Sequence, residues 1–238
     1  MEEDKNMIES LSLVVPVYNE EENLEKLISD INNYFSDFDG DLEVIFVDDG
    51  SSDNSLKVIS NQKNEYMRTV SHRENKGYGE ALKTGFREAD LDWIAYIDGD
   101  NQFKIESLDK LIEYSENYDL VAGKRKKRAD DKSRIIIGET FNKLVKRYLH
   151  IDYEDVDCGI KLFKNDILDE VSLSTSRTVD AELLAKSESK GFNIQQVNVK
   201  HYEREEGESE ASGILGVRIT LIVITIKELK QIKSEVNS

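Results

Sequence analysis

Hydrophobic and polar positions alternate along this chain in two rhythms. Short apolar runs at residues 11–17, 42–47, 67–70, 93–97 and 120–122 are each bounded by acids, asparagine or glycine, which predicts β-strands. Between them the spacing turns helical. Leu24, Leu27, Ile28 and Ile31 mark residues 21–34, and Leu108, Leu111 and Ile112 mark residues 107–115. Strands alternating with helices predict βαβ units, hence an α/β, mostly parallel central sheet flanked by helices. Right-handed crossovers then carry the C-terminal strand ends to one sheet edge, where open α/β sheets bind ligands. Past residue 123 the rhythm changes to a helix from about 135 to 149, a strand at 159–163, a helix at 179–190 and a strand at 194–199. Neither a linker nor an internal repeat interrupts this, so the expectation is one domain over residues 1–212 with a specialised second half.

Residues 213–238 predict a long amphipathic helix. Leu215, Ile219, Ile222, Ile226, Leu229, Ile232 and Val236 fall on one stripe, while Ile214, Val217, Leu221 and Ile224 add a second along its first half. One stripe suffices for docking on the domain, and two leave apolar surface for a partner. The first expectation is packing within the chain. A homo-oligomer seam or contact with a membrane surface are the alternatives.

Composition narrows the function classes. Lysine and arginine total 32 against 49 acids, a net charge of −17, which argues against broad contact with nucleic acid. The single cysteine, Cys158, excludes an intrachain disulfide and fits a reducing compartment. The opening residues lack the pattern of a secretory signal, and the apolar run 214–226 is interrupted by Arg218 and falls short of the ~20 residues a membrane span needs. These features predict a cytoplasmic protein, peripheral at most on the cytosolic membrane face.

The candidate chemistry gathers at strand ends. Asp98-Gly99-Asp100-Asn101-Gln102 follows the apolar run 93–97, and Asp48-Asp49-Gly50-Ser51 follows another. Carboxylates and an amide oxygen are hard donors suited to Mg²⁺ or Mn²⁺, which holds a diphosphate in its remaining positions. One acidic strand end is also an ordinary turn. Two on the same edge suggest a nucleotide and metal site. Residues 124–128 are consecutive cations in an acidic chain. A solvated face is the bland reading, but arginine forks suit phosphate, which makes Arg125 and Arg134 candidates for an anionic substrate.

These blocks carry a resemblance. Val15-Pro16-Val17-Tyr18-Asn19-Glu20, Val47-Asp48-Asp49-Gly50-Ser51, Asn75-Lys76-Gly77-Tyr78-Gly79 and Asp98-Gly99-Asp100 stand in the order found in family 2 glycosyltransferases. Asp155-Val156-Asp157-Cys158-Gly159-Ile160-Lys161-Leu162-Phe163 and Asp180-Ala181-Glu182 resemble the dolichyl-phosphate mannose synthase-like, polyprenyl-phosphate branch. The resemblance implies a GT-A (Rossmann-like) fold and an inverting, metal-dependent transfer. A hexose would pass from a nucleotide sugar of the GDP-mannose or UDP-glucose type to polyprenyl or dolichyl phosphate. Carried over by position, Pro16, Tyr18, Glu20, Asp49, Asp98, Gly99 and Asp100 would bind the nucleotide sugar. Asp98, Asp100 and Gln102 would hold the metal, and Arg125 would reach phosphate.

The related enzymes also carry Arg-x-x-Gly-x-Ser-Lys late in the domain. This chain keeps Arg204, Gly207 and Ser209 but has Glu210 where the lysine belongs. Arg204 and Ser209 are therefore acceptor-phosphate candidates, although Glu210 would repel such an acceptor. His201 is an alternative donor or a structural residue. A hydroxyl acceptor needs a base, whereas a phosphomonoester with a second pKa near ~6 is already largely a dianion at neutral pH. Asp157, Asp180 and Glu182 are candidate bases, or they orient Arg125 and Arg204. Transfer to a soluble or glycan hydroxyl, and nucleotide-sugar binding without turnover, are the competing functions. Tyr18 as a core aromatic, Asp48 as a turn acid, and Gly77, Gly79 and Gly85 as loop and packing glycines are the structural alternatives.

Overall fold

The computed structural model describes residues 8–62, 64–126, 132–204 and 215–237. Seven strands among these residues form one sheet: β1 (Ser10–Val17), β2 (Asp41–Asp48), β3 (Met67–Ser71), β4 (Trp93–Ile97), β5 (Leu120–Arg125), β6 (Ile160–Lys164) and β7 (Ile194–Val199). Their order is β3-β2-β1-β4-β6-β5-β7. β6 alone runs antiparallel, pairing with β4 and β5, while the other four pairings are parallel. That reversal matters for the site. The start of β6, rather than its end, lies on the edge where the parallel strands finish.

Both sheet faces are covered, which is why the central strands read as continuous apolar runs. Side chains alternate between the two layers. Leu11, Leu13, Val15 and Val17 enter one core with α1 (Glu21–Tyr34), through Leu24, Leu27, Ile28 and Ile31. Val14, Ile45, Val47, Ile94 and Tyr96 enter the other, against α3 (Tyr78–Glu88) and α7 (Val179–Ser189). Burying one such leucine or isoleucine contributes about 1.5–3 kcal/mol. The β2–α2 loop completes α1 from outside. Asp53 accepts from the Glu21 amide, and Glu21 accepts in return from the amide of Asn54, just before α2 (Ser55–Ser60).

The expected helix at 107–115 is shorter than its periodicity suggests. A 3-10 turn covers Ile105–Leu108, followed by one α-turn, α4 (Asp109–Ile112). Ile105, Leu108 and Leu111 are buried, and a spacing of three is the line that a 3-10 turn presents. α3 buries one amphipathic side through Ala81, Leu82 and Phe86, and two positions of that same side are glycine. A Cβ on Gly85 would meet Val14 at 2.2 Å, and one on Gly79 would meet the Ser176 carbonyl at 2.0 Å, so both are packing glycines.

α5 (Lys132–Leu149) and α6 (Ile167–Glu170) cover the second half, and α8 (Leu215–Val236) lies across α5 and α7. The terminal helix docks on its own domain through its second half. Leu229 and Ile232 are buried, and Glu228 accepts from the amides of Ser176, Arg177 and Thr178 at the start of α7. Val223, Ile224 and Ile226 remain exposed beside Lys227 and Lys230. No helix among the described residues is long and apolar enough to cross a membrane.

Candidate active site

The parallel strand ends and the start of β6 bring the motifs together on one edge. At the end of β1, Pro16 is buried, and Tyr18 is half-buried outside both core layers, so it is not a core aromatic. Glu20 is ion-paired with Arg204 and bonded to Asn23 at 2.7 Å. Burial raises the Glu20 pKa despite the opposing Arg204 guanidinium.

At the end of β2 the two acids divide their work. Asp48 accepts from the Ser51 amide at 3.3 Å and is the turn acid. Asp49 is buried and organises the neighbouring loop. It accepts from the Lys76 and Gly77 amides at 2.9 and 2.7 Å and meets His72 Nδ1 at 2.6 Å. His72 in turn meets Thr84 at 2.9 Å, which fixes the carboxylate's orientation.

Asp98, Gly99 and Asp100 follow β4. Gly99 is required by close approach, since a Cβ there would lie 2.8 Å from the Pro16 carbonyl. Asn101 takes the left-handed conformation that asparagine tolerates (φ 60°), and its side chain donates to the Asn23 carbonyl. Asp100 accepts from the Gln102 amide at 3.1 Å. The Gln102 side chain donates to the Tyr202 carbonyl at 3.2 Å, while the Tyr202 amide donates to the Gln102 carbonyl. Gln102 therefore clamps the segment after β7. His201 packs edge-on against Phe103 in the same clamp.

Asp98 is the electrostatic centre. Tyr78, 41% exposed, donates to its Oδ1 at 2.9 Å, and its carboxyl lies against Gly159, where a Cβ would sit 1.7 Å from Oδ2. The Asp98 pKa is raised well above the ordinary carboxylate range, by crowding away from bulk solvent first and then by the charges of Asp100, Asp180 and Asp157. Burial first, then the charges of Asp180 and Asp155, push Asp157 to about 6, with Arg125 and Lys161 opposing. Yet Asp157 is solvent-exposed and Asp98 only half-buried. Groups walled by protein on most sides but open to water on one are the floor of a cleft.

Arg125 is less free than an isolated phosphate fork. Its Nε and Nη2 donate to both oxygens of Asp155 at 2.7 Å, and Nη2 also donates to the Asp157 carbonyl at 2.8 Å. Asp155, not Asp157, is thus the carboxylate that orients Arg125. Asp180 binds Lys161 and Tyr96. Glu182 is fully buried, binds Lys186 and accepts from the Ser174 and Thr175 amides, a structural role that removes it as a base. The backbone of Arg134 lies in α5 but its side chain, like Ser209 and Glu210, is outside the described residues. Tyr78 and Lys161 stand within the sequence motifs without a role that the motifs themselves specify, and His72 lies outside them. Only Lys161 left a clear signal, a cation inside the apolar run 160–163.

Among the described residues no three histidine, cysteine or acidic side chains are grouped to enclose an ion. Asp98 and Asp100 nevertheless fit a divalent cation that takes its other ligands elsewhere. They are hard oxygen donors, and the mutual repulsion that raises Asp98 is relieved by a cation.

Residues 12–172 match the family model described as glycosyl transferase family 2. Two similar curated proteins are undecaprenyl-phosphate 4-deoxy-4-formamido-L-arabinose transferases, from Proteus mirabilis and Pseudomonas fluorescens. Each is 29% identical over 92% of this chain, with 68% and 65% of their own lengths covered. The chain thus spans about two thirds of these relatives. Among solved structures, glucosyl-3-phosphoglycerate synthase from Mycobacterium tuberculosis with Mn²⁺, UDP and glucosyl-3-phosphoglycerate superposes with a TM-score of 0.71. It is 20% identical and covers 94% of this chain and 81% of its own. Mannosyl-3-phosphoglycerate synthase from Rubrobacter xylanophilus gives 0.72 at 14% identity, covering 93% and 74%. The shared architecture is the GT-A fold.

Proposed function

This chain belongs to glycosyl transferase family 2 and is a glycosyltransferase, and we propose that it transfers a sugar from a nucleoside diphosphate to a polyprenyl phosphate, with inversion at the anomeric carbon. The observation that carries the reading is the acidic pair Asp98 and Asp100 on the floor of an open cleft, with Asp157 facing the same space. The undecaprenyl-phosphate relatives support the acceptor class.

Pro16, Tyr18, Glu20 and the loop ordered by Asp49 line the nucleoside side. Asp98 and Asp100 would hold Mg²⁺ or Mn²⁺, with Gln102 placing Asp100 through its backbone amide. When bound, the ion neutralises charge developing on the leaving diphosphate. Lipid phosphate is largely a dianion at neutral pH, so the protein's work is to position it and balance its charge. Arg125, Arg134, Arg204 and Ser209 are assigned to that phosphate. Arg204 must exchange Glu20 for the ligand, and Arg125 offers its Nη1 edge while its other donors hold Asp155 and Asp157. The exposed α8 face of Val223, Ile226, Lys227 and Lys230 is assigned to the bilayer carrying the acceptor, where each lysine adds about 1 kcal/mol on an anionic surface.

A hydroxyl acceptor is the second reading, because Asp157 is exposed with a pKa pushed to about 6, the range of a general base near neutrality. The deciding experiment offers a panel of GDP- and UDP-sugars with polyprenyl phosphate or with soluble hydroxyl acceptors, and reads products by mass spectrometry. Glycosyl phospholipid as the product supports the first reading. Products on hydroxyl acceptors alone overturn it in favour of the second.

A further inference from the structure

Lys161 stands inside β6 with its side chain fully buried. An ammonium in that position costs far more than leucine unless it is closely paired, so its placement calls for a physical reason. Its partners supply one. Nζ donates to the Cys158 carbonyl at 2.8 Å and is ion-paired with Asp180 in the first turn of α7. The Tyr96 hydroxyl, from the residue opposite Lys161 on β4, donates to the same Asp180 oxygen.

This trio lies one step along the strands from the cleft floor. Tyr96 and Asp98 project to the same side of β4, as Lys161 and Gly159 do at the start of β6. The Asp98 amide donates to the Gly159 carbonyl at 3.1 Å, and the Asp98 carboxyl occupies the space that a side chain on Gly159 would fill. The carbonyl that Lys161 grips belongs to the peptide joining Cys158 to Gly159. Arg125 grips the same loop two steps away, at the Asp155 carboxylate and the Asp157 carbonyl. Lys161 thus fastens from beneath the turn that carries Asp157 and clears room for Asp98, and brings positive charge under the acids.

We propose that Lys161, through the Cys158 carbonyl and Asp180, is a positioning residue for the transfer, setting Asp157 and Gly159 against Asp98. The proposal rests on the glycosyltransferase reading of this cleft. It places the lysine in the service of the site rather than of the core.

Removing the lysine alone strands a buried carboxylate, so the lysine is removed only together with that charge. Asp180→Asn, which leaves the ammonium the Cys158 carbonyl and an amide oxygen, serves as the reference. Asp180→Asn and Lys161→Met/Asp180→Asn are compared with wild type in the full chain. The first readout is hydrogen–deuterium exchange of the metal-free protein over residues 156–160, the second the kcat and donor KM of transfer. Asp180→Asn keeps the lysine's grip on Cys158 and should retain loop protection. The double variant should melt cooperatively, exchange the loop at least about 10-fold faster with β1 and β2 unchanged, and lose about 10–100-fold in kcat with less change in KM. Unaltered loop exchange with kcat within twofold of Asp180→Asn overturns the proposal. If the methionine pair does not melt cooperatively, Lys161→Gln/Asp180→Asn restores a neutral donor and should give protection between the other two. Failure of both pairs to fold overturns the proposal by making Lys161 a requirement of the core. A wild-type protein that transfers nothing to any acceptor defeats the functional reading, yet leaves the exchange contrast to be scored separately.

Discussion

Alanine at Gly159 tests the geometry of the cleft with a single methyl group. The Gly159 backbone is not left-handed, so alanine brings no conformational strain of its own. The new Cβ would lie 1.7 Å from Asp98 Oδ2, 2.2 Å from Cγ and 2.6 Å from Oδ1. Opening the closest of these to 3.0 Å requires a shift of about 1.3 Å. Rotation of the carboxyl does not relieve all three contacts, and Asp98 is held by Tyr78 at 2.9 Å and by its amide bond to Gly159. Overpacking of this kind costs about 1–3 kcal/mol, equivalent to roughly 2–12 °C in Tm for a chain of this size. Displacing a reacting group by ~1 Å costs about 100-fold in rate. Gly159→Ala should therefore keep its fold, lose a few degrees in a thermal melt, and lose about two orders of magnitude in kcat for sugar transfer. Weaker Mn²⁺ binding, followed by electron paramagnetic resonance, should accompany the loss. A variant with lowered Tm but kcat within threefold of wild type would refute the placement of Asp98 at the reacting centre.

Further expectations follow from other parts of the molecule. Asp100→Asn should lower turnover by orders of magnitude with an unchanged circular dichroism spectrum, and EDTA should abolish wild-type transfer until Mn²⁺ or Mg²⁺ is restored; full activity of the variant in chelator contradicts the metal assignment. Glu228→Gln removes the charge that caps α7 from α8 and should cost about 0.5–2 kcal/mol in urea melts, without a direct effect on nucleotide binding. Leu229→Ala should cost about 2–5 kcal/mol because that residue is buried, whereas Val223→Ala, 61% exposed, should stay within about 0.5 kcal/mol; equal effects would mean that α8 does not dock as described. Cys158 is buried and its thiol is pushed up to about 12, so the thiolate is scarce at pH 8 and iodoacetamide should label it only after unfolding. The stability bound up with that protonated thiol is fully present below its ordinary pKa and lost as pH climbs towards the raised value.

Much of the frame was legible in the residues themselves. Apolar runs bounded by turn formers place the central strands, because a strand buried on both faces is mostly apolar, whereas the edge strands β3 and β7 are largely part-buried and mix in polar residues. The acids after β2 and β4 mark the working edge because parallel strands deliver their ends to one side. Local patterns do not carry pairing direction, so the reversal of β6 came only with the tertiary structure. That reversal brings Gly159 and Asp157 to Asp98. The partners of charged groups are equally non-local. Arg125 reads as a phosphate fork but is fastened to Asp155, thirty residues away, and Glu20 is paired with Arg204 across 184 positions. Lys161 could be noticed as an odd cation in an apolar strand, but its meaning depends on Asp180, Tyr96 and the Cys158 carbonyl meeting it. Periodicity reports which face is buried. What a buried charge is for depends on which charge folding brings beside it.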